Sequence, residues 1–220
     1  MCGRYLIDDE AYADILQILH DMNAAKNRVY SENITVGDYI KGEVFPTNIA
    51  PIIENGEIVA VKWGFPHWKN TGVIINARSE TALEKRMFGK PLRERRCVVP
   101  SSGFYEWGDG HGRGSTGRKR KSKYLFRRPG EHTLYMAGMA STFRDAFGEE
   151  YDAFTILTTA ANECVSPIHD RMPVILSADE VDLWTSDNRF MEFVLHRPGP
   201  ELSAESEAKE QVLEHEQLSF

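Results

Sequence analysis

What most confines this chain to a small set of folds is a succession of short apolar runs, each closed by a turn signal. Ile52-Ile53 and residues 58–63 flank Asn55-Gly56. That dipeptide makes a two-residue hairpin because both of its positions accept positive φ. Val73-Ile74-Ile75, Cys97-Val98-Val99 and residues 103–107 read as further strands, with a Pro-Ser-Ser turn between the last two. Residues 124–128, 134–140, 153–159 and 174–176 add four more. Residues 44–51, Val-Phe-Pro-Thr-Asn-Ile-Ala-Pro, are extended, since two prolines forbid a helix interior. Helical patterns are few. Residues 10–23 set Ile15, Leu16, Ile18 and Leu19 on one side, with Asp8 or Asp9 as cap. Residues 81–95 are helical in composition, and Ser177 with Glu180 forms a capping box for a helix through Trp184. Residues 27–39 read as a polar loop. This balance predicts a single α+β domain on a mostly antiparallel, barrel-like β-sheet with flanking helices. We place it at residues 1–200, with a charged C-terminal tail at 201–220, either a solvated helix or partly disordered.

Charge and cysteine usage narrow the function. The 220 residues are 41% hydrophobic, enough to bury a core, and the net charge of −7 excludes a general polyanion binder. Nucleic acid would need a local basic patch. Residues 108–123 offer one, with Gly108, Gly110, Gly112, Gly114 and Gly117 beside Arg118-Lys119-Arg120-Lys121. This segment reads as a mobile hairpin loop, and its charge serves either solvation or phosphate contact. Three widely spaced cysteines, Cys2, Cys97 and Cys164, fit reduced thiols in a cytoplasmic protein. No signal sequence and no apolar run of about 20 residues is present, so no membrane span is expected. No His-x-x-x-His or Cys-x-x-Cys spacing points to metal, and no glycine pattern points to a nucleotide cofactor. We expect no cofactor.

Four clusters carry candidate chemistry. Cys2 follows the initiator methionine, and its small side chain permits removal of Met1. The α-amine (pKa about 7.7–8.0) and thiol (about 8.5) would then be two nucleophiles on adjacent carbons. The amine makes a Schiff base with an aldehyde, and the thiol closes a five-membered thiazolidine. Attack on an acyl carbon is the other option, and an accidental cysteine in a disordered terminus the third. Asn76, at the end of an apolar run, either orients a substrate or caps a turn. Glu106 lies between Tyr105 and Trp107; it is either a desolvated acid or base or, on the outer face, merely solvated. His169, in Ile168-His169-Asp170-Arg171, is a proton carrier or a surface-loop histidine. The Trp63-Gly64-Phe65-Pro66-His67-Trp68 stretch suits an exposed stacking shelf or a core corner. Aromatics interleaved with Arg4, Arg78 and Arg171 are what single-stranded nucleic acid needs.

These pieces, in order, resemble the SRAP family (SOS response-associated peptidase), with its bacterial YedK-type and eukaryotic HMCES-type members. The matching stretches are Met1-Cys2-Gly3-Arg4-Tyr5, Asn48-Ile49-Ala50-Pro51, Trp63-Gly64-Phe65, Ile75-Asn76-Ala77-Arg78-Ser79-Glu80-Thr81, Arg96-Cys97-Val98-Val99-Pro100, Gly103-Phe104-Tyr105-Glu106-Trp107, Thr158-Thr159-Ala160-Ala161 and Ile168-His169-Asp170-Arg171-Met172-Pro173. They span residues 1 to about 195. The resemblance implies recognition of abasic sites in single-stranded DNA. It also implies a covalent thiazolidine crosslink through Cys2, which shields the lesion. Cys2 is then the nucleophile, Glu106 the proton shuttle, His169 the acid/base for sugar opening and Asn76 the holder of the terminus and sugar. Arg4, Arg78 and Arg171 match phosphate-contacting positions, Trp68 and Trp107 positions near the bases, and Thr158 one near the lesion. The family name implies a peptidase act, autocleavage of the Met1–Cys2 bond. The expected protein is a monomer in the cytoplasm, nucleoid-associated when bound to DNA. The alternatives are a thiol peptidase acting in trans and a non-covalent single-strand binding module. Three departures from the family pattern stand out: the long basic segment 108–123, Thr47 where many relatives have an aromatic or Arg, and His67 before Trp68.

Overall fold

Asn55 and Gly56 both hold positive φ, 51° and 68°, in the computed structural model of the chain, which describes residues 2–25, 41–67, 72–113 and 119–206. They join β3 (Ile49–Glu54) to β4 (Glu57–Trp63), with Glu54 opposite Glu57. The pair of positive φ values is the two-residue turn that matches strand twist. From this hairpin the sheet closes on itself. β3 pairs with β8 (Arg96–Ser101), β8 with β11 (Leu134–Arg144), and β11 with β12 (Glu150–Ala160). β12 returns to β4, and this is the parallel contact in an otherwise antiparallel ring of five strands. Closure removes the sheet edge as a pairing hazard and gives the ring a common interior. Ala50, Ile52, Val99, Met136, Ala140, Phe154 and Ile156 are all buried completely. β8 is buried at each of its six positions, which is why Cys97-Val98-Val99 is continuously apolar and not alternating. The barrel-like α+β fold is as expected.

A second sheet carries the amino terminus. β1 (Tyr5–Ile7) lies between β9 (Gly103–Arg113) and β2 (Gly42–Val44), with Tyr5 opposite both Phe104 and Val44. β10 (Lys119–Arg127) pairs with β9, and the short strand Ser203–Ser206 covers the β10 edge. α1 (Asp9–Ala25) follows β1 directly, and the Asp8 carboxylate caps it by accepting from the Ala11 N–H at 3.1 Å.

Several local expectations change. Val73-Ile74-Ile75 is not one strand. β6 (Val73–Ile74) pairs with β5 (Phe65–Pro66), and the chain then steps to β7 (Asn76–Arg78), parallel to β12. The step is fixed at the Ile75 carbonyl, which accepts from Trp63 Nε1 at 3.2 Å and from the Ile156 N–H at 3.1 Å. Asn76 therefore opens a strand. Trp63 and Phe65 are fully buried core residues, so of the suggested stacking shelf they form none. A Cβ on Gly64, at φ 115°, would stand 2.8 Å from Val73 Cβ, so the Trp-Gly-Phe corner needs glycine. Residues 81–95 split into α2 (Ser79–Ala82) and α3 (Gly89–Glu94), because the chain folds so tightly that a Cβ on Gly89 would meet the Leu83 carbonyl at 2.5 Å. The glycine-rich segment is a hairpin, as read, but its ladder runs on: Trp107 faces Lys123, and Asp109 faces Lys121. Residues 114–118 lie outside the described residues, as do the polar stretch 27–39 and Trp68.

The capping box forms as read. Ser177 and Glu180 open a short 3-10 turn, followed by α4 (Val181–Ser186). α5 (Asn188–His196) is an addition: Asp187 Oδ1 accepts from the Arg189 and Phe190 N–H groups at 2.6 and 3.0 Å. Ser203–Ser206, at the start of the stretch expected as a charged tail, is strand because β10 presents it an edge; residues 207–220 are outside the described set. No described helix is long and apolar enough to cross a membrane.

Candidate active site

The second sheet sets Cys2 against Glu106. Tyr5 pairs with Phe104, and the Tyr105 N–H donates to the Arg4 carbonyl at 2.9 Å, carrying the same alignment back toward Cys2. Cys2 is completely buried. Asn76 Nδ2, at the head of β7, donates to the Cys2 carbonyl at 2.8 Å, a link across 74 residues of sequence. The Cys2 Sγ turns back toward the Arg4 carbonyl, 3.8 Å away.

Glu106 is 3% exposed and shares the buried face of β9 with Phe104. This is the desolvated placement, the alternative to a solvated outer face. His169 closes the group, its Nε2 lying 3.9 Å from Glu106 Oε2. The Arg171 N–H approaches His169 Nδ1 at 3.0 Å, and Asp170 Oδ1 lies 3.0 Å from the same nitrogen, which leaves Nε2 facing Glu106. Burial raises the Glu106 carboxyl above the ordinary glutamate value, while the His169 charge pulls it back. Burial also pushes the Cys2 thiol up, and the Glu106 charge adds to that. The thiol therefore stays protonated at neutral pH and needs a base to release its proton. Three candidates from three distant stretches, Asn76, Glu106 and His169, thus gather about the buried Cys2.

Of the expected DNA-contacting residues, all but Trp68 are described, and they stand in different states. The Arg4 guanidinium lies over the Phe45 ring at 4.3 Å and the half-buried Trp107 ring at 5.0 Å, and it pairs with Glu43 at 2.9 Å. Glu43 also takes Lys123, whose ammonium sits 3.9 Å above the Tyr105 ring. Arg171 is bound bidentately by Glu80, at 2.6 and 2.8 Å, and donates to the Thr158 carbonyl at 2.6 Å. That hydrogen bonding holds the Glu80 carboxyl below its usual range. Arg78 is exposed on β7. Thr158, in register with Arg78 and Pro173, is buried; its Oγ1 and Asn76 Oδ1 have no hydrogen-bond partner among the described residues. Buried polar atoms of this kind take a hydrogen bond from a ligand or a water. Among the described residues, no three His, Cys, Asp or Glu side chains gather as a metal site.

The sequence reading did not find Phe45 or Glu43, and it placed Lys123 only within the basic segment 108–123. Arg4 and Glu43 are 39 residues apart and Glu43 and Lys123 are 80 apart, with no local pattern linking them. Glu80 stood inside the Asn76–Thr81 motif, and its ion pair with Arg171 spans 91 residues.

Fold and site define a small mixed barrel with an acid–base cluster around a buried cysteine near its amino terminus. The chain belongs to the SRAP family: the family model described as SOS response associated peptidase matches residues 1–206. Its relatives include the abasic site processing protein YedK of Escherichia coli, 36% identical over 190 residues, covering 84% of this chain and 79% of that one. The abasic site processing protein YoqW of Bacillus subtilis is 33% identical over 200 residues, covering 84% and 80%. A crystal structure of a protein from Bacteroides thetaiotaomicron has the same fold, with a TM-score of 0.73 over 93% of this chain and 91% of that one at 24% identity.

Proposed function

We propose that this protein processes abasic sites in single-stranded DNA by condensing Cys2 with the lesion's aldehyde once Met1 is gone. The observation that carries the proposal is the Asn76 hydrogen bond to the Cys2 carbonyl, beside the buried Glu106 and the half-buried His169. Relatives named as abasic site processing proteins supply the substrate class.

The chemistry divides as follows. His169 moves a proton on the sugar as its ring opens to the aldehyde. The Cys2 amine adds to the aldehyde carbon, and the carbinolamine loses water to give a Schiff base. Glu106, protonated, assists departure of that water; as carboxylate, it takes the thiol proton as sulfur adds to the same carbon. The imine nitrogen ends protonated, and one water leaves overall. Asn76 fixes the Cys2 carbonyl so that amine and thiol stay aligned on one carbon. Met1 removal is a step of the mechanism, because with Met1 in place the Cys2 nitrogen is an amide. Autocleavage by the same site is the route we favour. Arg4, Arg78 and Arg171 contact phosphates, Trp68 and Trp107 lie near bases, and Thr158 near the lesion. The protein acts as a monomer, in the cytoplasm and on the nucleoid.

Peptidase action in trans would need a ready thiolate, and burial of Cys2 disfavours one. A non-covalent binding module would be indifferent to Cys2. Incubation of trimmed protein with an abasic oligonucleotide decides: we expect a heat-resistant gel-shifted adduct, absent with Cys2→Ala. No adduct from trimmed protein overturns the reading.

A further inference from the structure

We propose that Phe45 is a stacking platform for a nucleobase flanking the lesion, an inference that rests on the single-stranded DNA reading above. Phe45 is 42% exposed and Ile49, four residues on, is 53% exposed, whereas Tyr5, Phe104 and Tyr105 beside them are buried. An exposed ring in a wall of buried ones needs a reason, and its mounting supplies one. Residues 45–48 form a tight turn, with the Asn48 N–H donating to the Phe45 carbonyl at 3.1 Å and Asn48 Oδ1 accepting from the Phe45 N–H at 2.8 Å. Pro46 and Thr47 occupy the centre, and Thr47 has φ 75°, the arrangement of a type II turn. That third position ordinarily takes glycine or asparagine, so a β-branched residue there is strained backbone. Both chain directions are pinned: the Thr47 N–H donates to the Trp63 carbonyl and the Trp63 N–H to the Asn48 carbonyl, each at 2.8 Å. Trp63 is the residue whose indole holds the Ile75 carbonyl next to Asn76. The platform is therefore fixed to the same frame as the site.

The surroundings suit a base on the ring, next to the phosphate assigned to Arg4. Arg4 bridges Phe45 to Trp107, one residue beyond Glu106 on β9. Its charge and that of Lys123 are both drawn onto Glu43. A corner that sets aromatic faces beside cations stacks a base on the rings while the cations serve the neighbouring backbone. Stacking of this kind is sequence-tolerant, which suits a protein that must meet its lesion between any two bases.

The test measures crosslink rate against DNA concentration for wild type, Phe45→Ala and Phe45→Trp. Two abasic oligonucleotides are used, one with ordinary flanking bases and one whose flanking nucleotides are baseless tetrahydrofuran residues. On ordinary flanks, Phe45→Ala should raise the half-saturating concentration by roughly 5- to 100-fold. The saturated rate should hold, and Phe45→Trp should restore wild-type behaviour. On baseless flanks the three proteins should coincide. An unchanged half-saturating concentration in Phe45→Ala, or the same rise on baseless flanks, overturns the inference. If wild type itself forms no adduct, the crosslinking reading fails alone. Fluorescence anisotropy with an intact single strand then judges the platform: weaker binding by Phe45→Ala supports it, and equal binding overturns it.

Discussion

At 3% exposure the Glu106 carboxyl gains little from water, and burial keeps its proton on to a higher pH than an ordinary glutamate would. Two consequences follow at this residue. For chemistry, the carboxylate that takes the Cys2 proton is populated only as pH climbs through that raised value. The crosslink rate should therefore rise with pH through that range and fall again once too little protonated Glu106 remains to expel water, and Glu106→Gln should lose this dependence and slow the reaction by about 10²-fold or more. A pH–rate profile of both proteins checks it. For stability, a carboxyl raised in the folded state binds its proton more tightly there than in the unfolded chain. That contribution is fully present below the unfolded value and lost as pH rises through the folded one. Glu106→Gln, neutral at every pH, should accordingly melt higher than wild type near neutrality, with the advantage vanishing in acid. A site residue whose removal stabilises the fold is one kept for its chemistry. Thermal melts across pH read this directly.

The elements of this fold divide by how local their causes are. The Asn55-Gly56 hairpin, the α1 cap and the Ser177–Glu180 capping box were legible because each is settled within a few residues. α5, absent from the sequence reading, carries an equally local signal: Asp187 ahead of Phe190, Met191, Val194 and Leu195 is a cap before an apolar stripe. The splitting of residues 73–78 into β6 and β7 could not be read locally, since it is decided by Trp63 Nε1 reaching the Ile75 carbonyl. The 45–48 turn is also non-local: proline at its centre was visible, but the left-handed Thr47 is not a choice local preference makes. Thr47→Gly should relieve that backbone and stabilise the protein by about 1 kcal/mol, or about 2–4 °C in Tm. A second element-scale device is the Arg197–Glu180 pair, which ties the segment after α5 to the capping turn. Hydrogen bonding from Arg197 lowers the Glu180 carboxyl to about 2. A depressed carboxylate lends stability above its unfolded value that fades as pH falls through the folded one. Wild type should lose this part between the ordinary glutamate range and about pH 2, and Glu180→Gln should show a flatter acid limb in the same titration.

For the molecule as a whole, a net charge of −7 has to coexist with an affinity for DNA. The candidate site resolves this locally: Arg4 and Arg171 are already ordered by Glu43 and Glu80, and Arg78 stands exposed between them in the chain. Three phosphate contacts would give a shallow salt dependence, log K falling with log salt at a slope of about −2, at roughly 0.7 per phosphate. Anisotropy titrations with an intact single strand check this, and a slope several times steeper would point to the basic hairpin as the main contact. The ordered set of motifs from Cys2 to Pro173 carried the family and the four central residues into the reading of the sequence. Their mutual geometry was not in it, because Cys2, Asn76, Glu106 and His169 are joined only by closure of the barrel and the pairing of β1 with β9. The central claim is that the reactive group is the Cys2 amine together with its thiol. Its most direct test is the intact mass of the adduct between trimmed protein and an abasic oligonucleotide, without reductant. The account predicts the sum of the two masses less one water, and none of that species with Cys2→Ala. The same heat-stable mass from Cys2→Ala, or from protein retaining Met1, would contradict it.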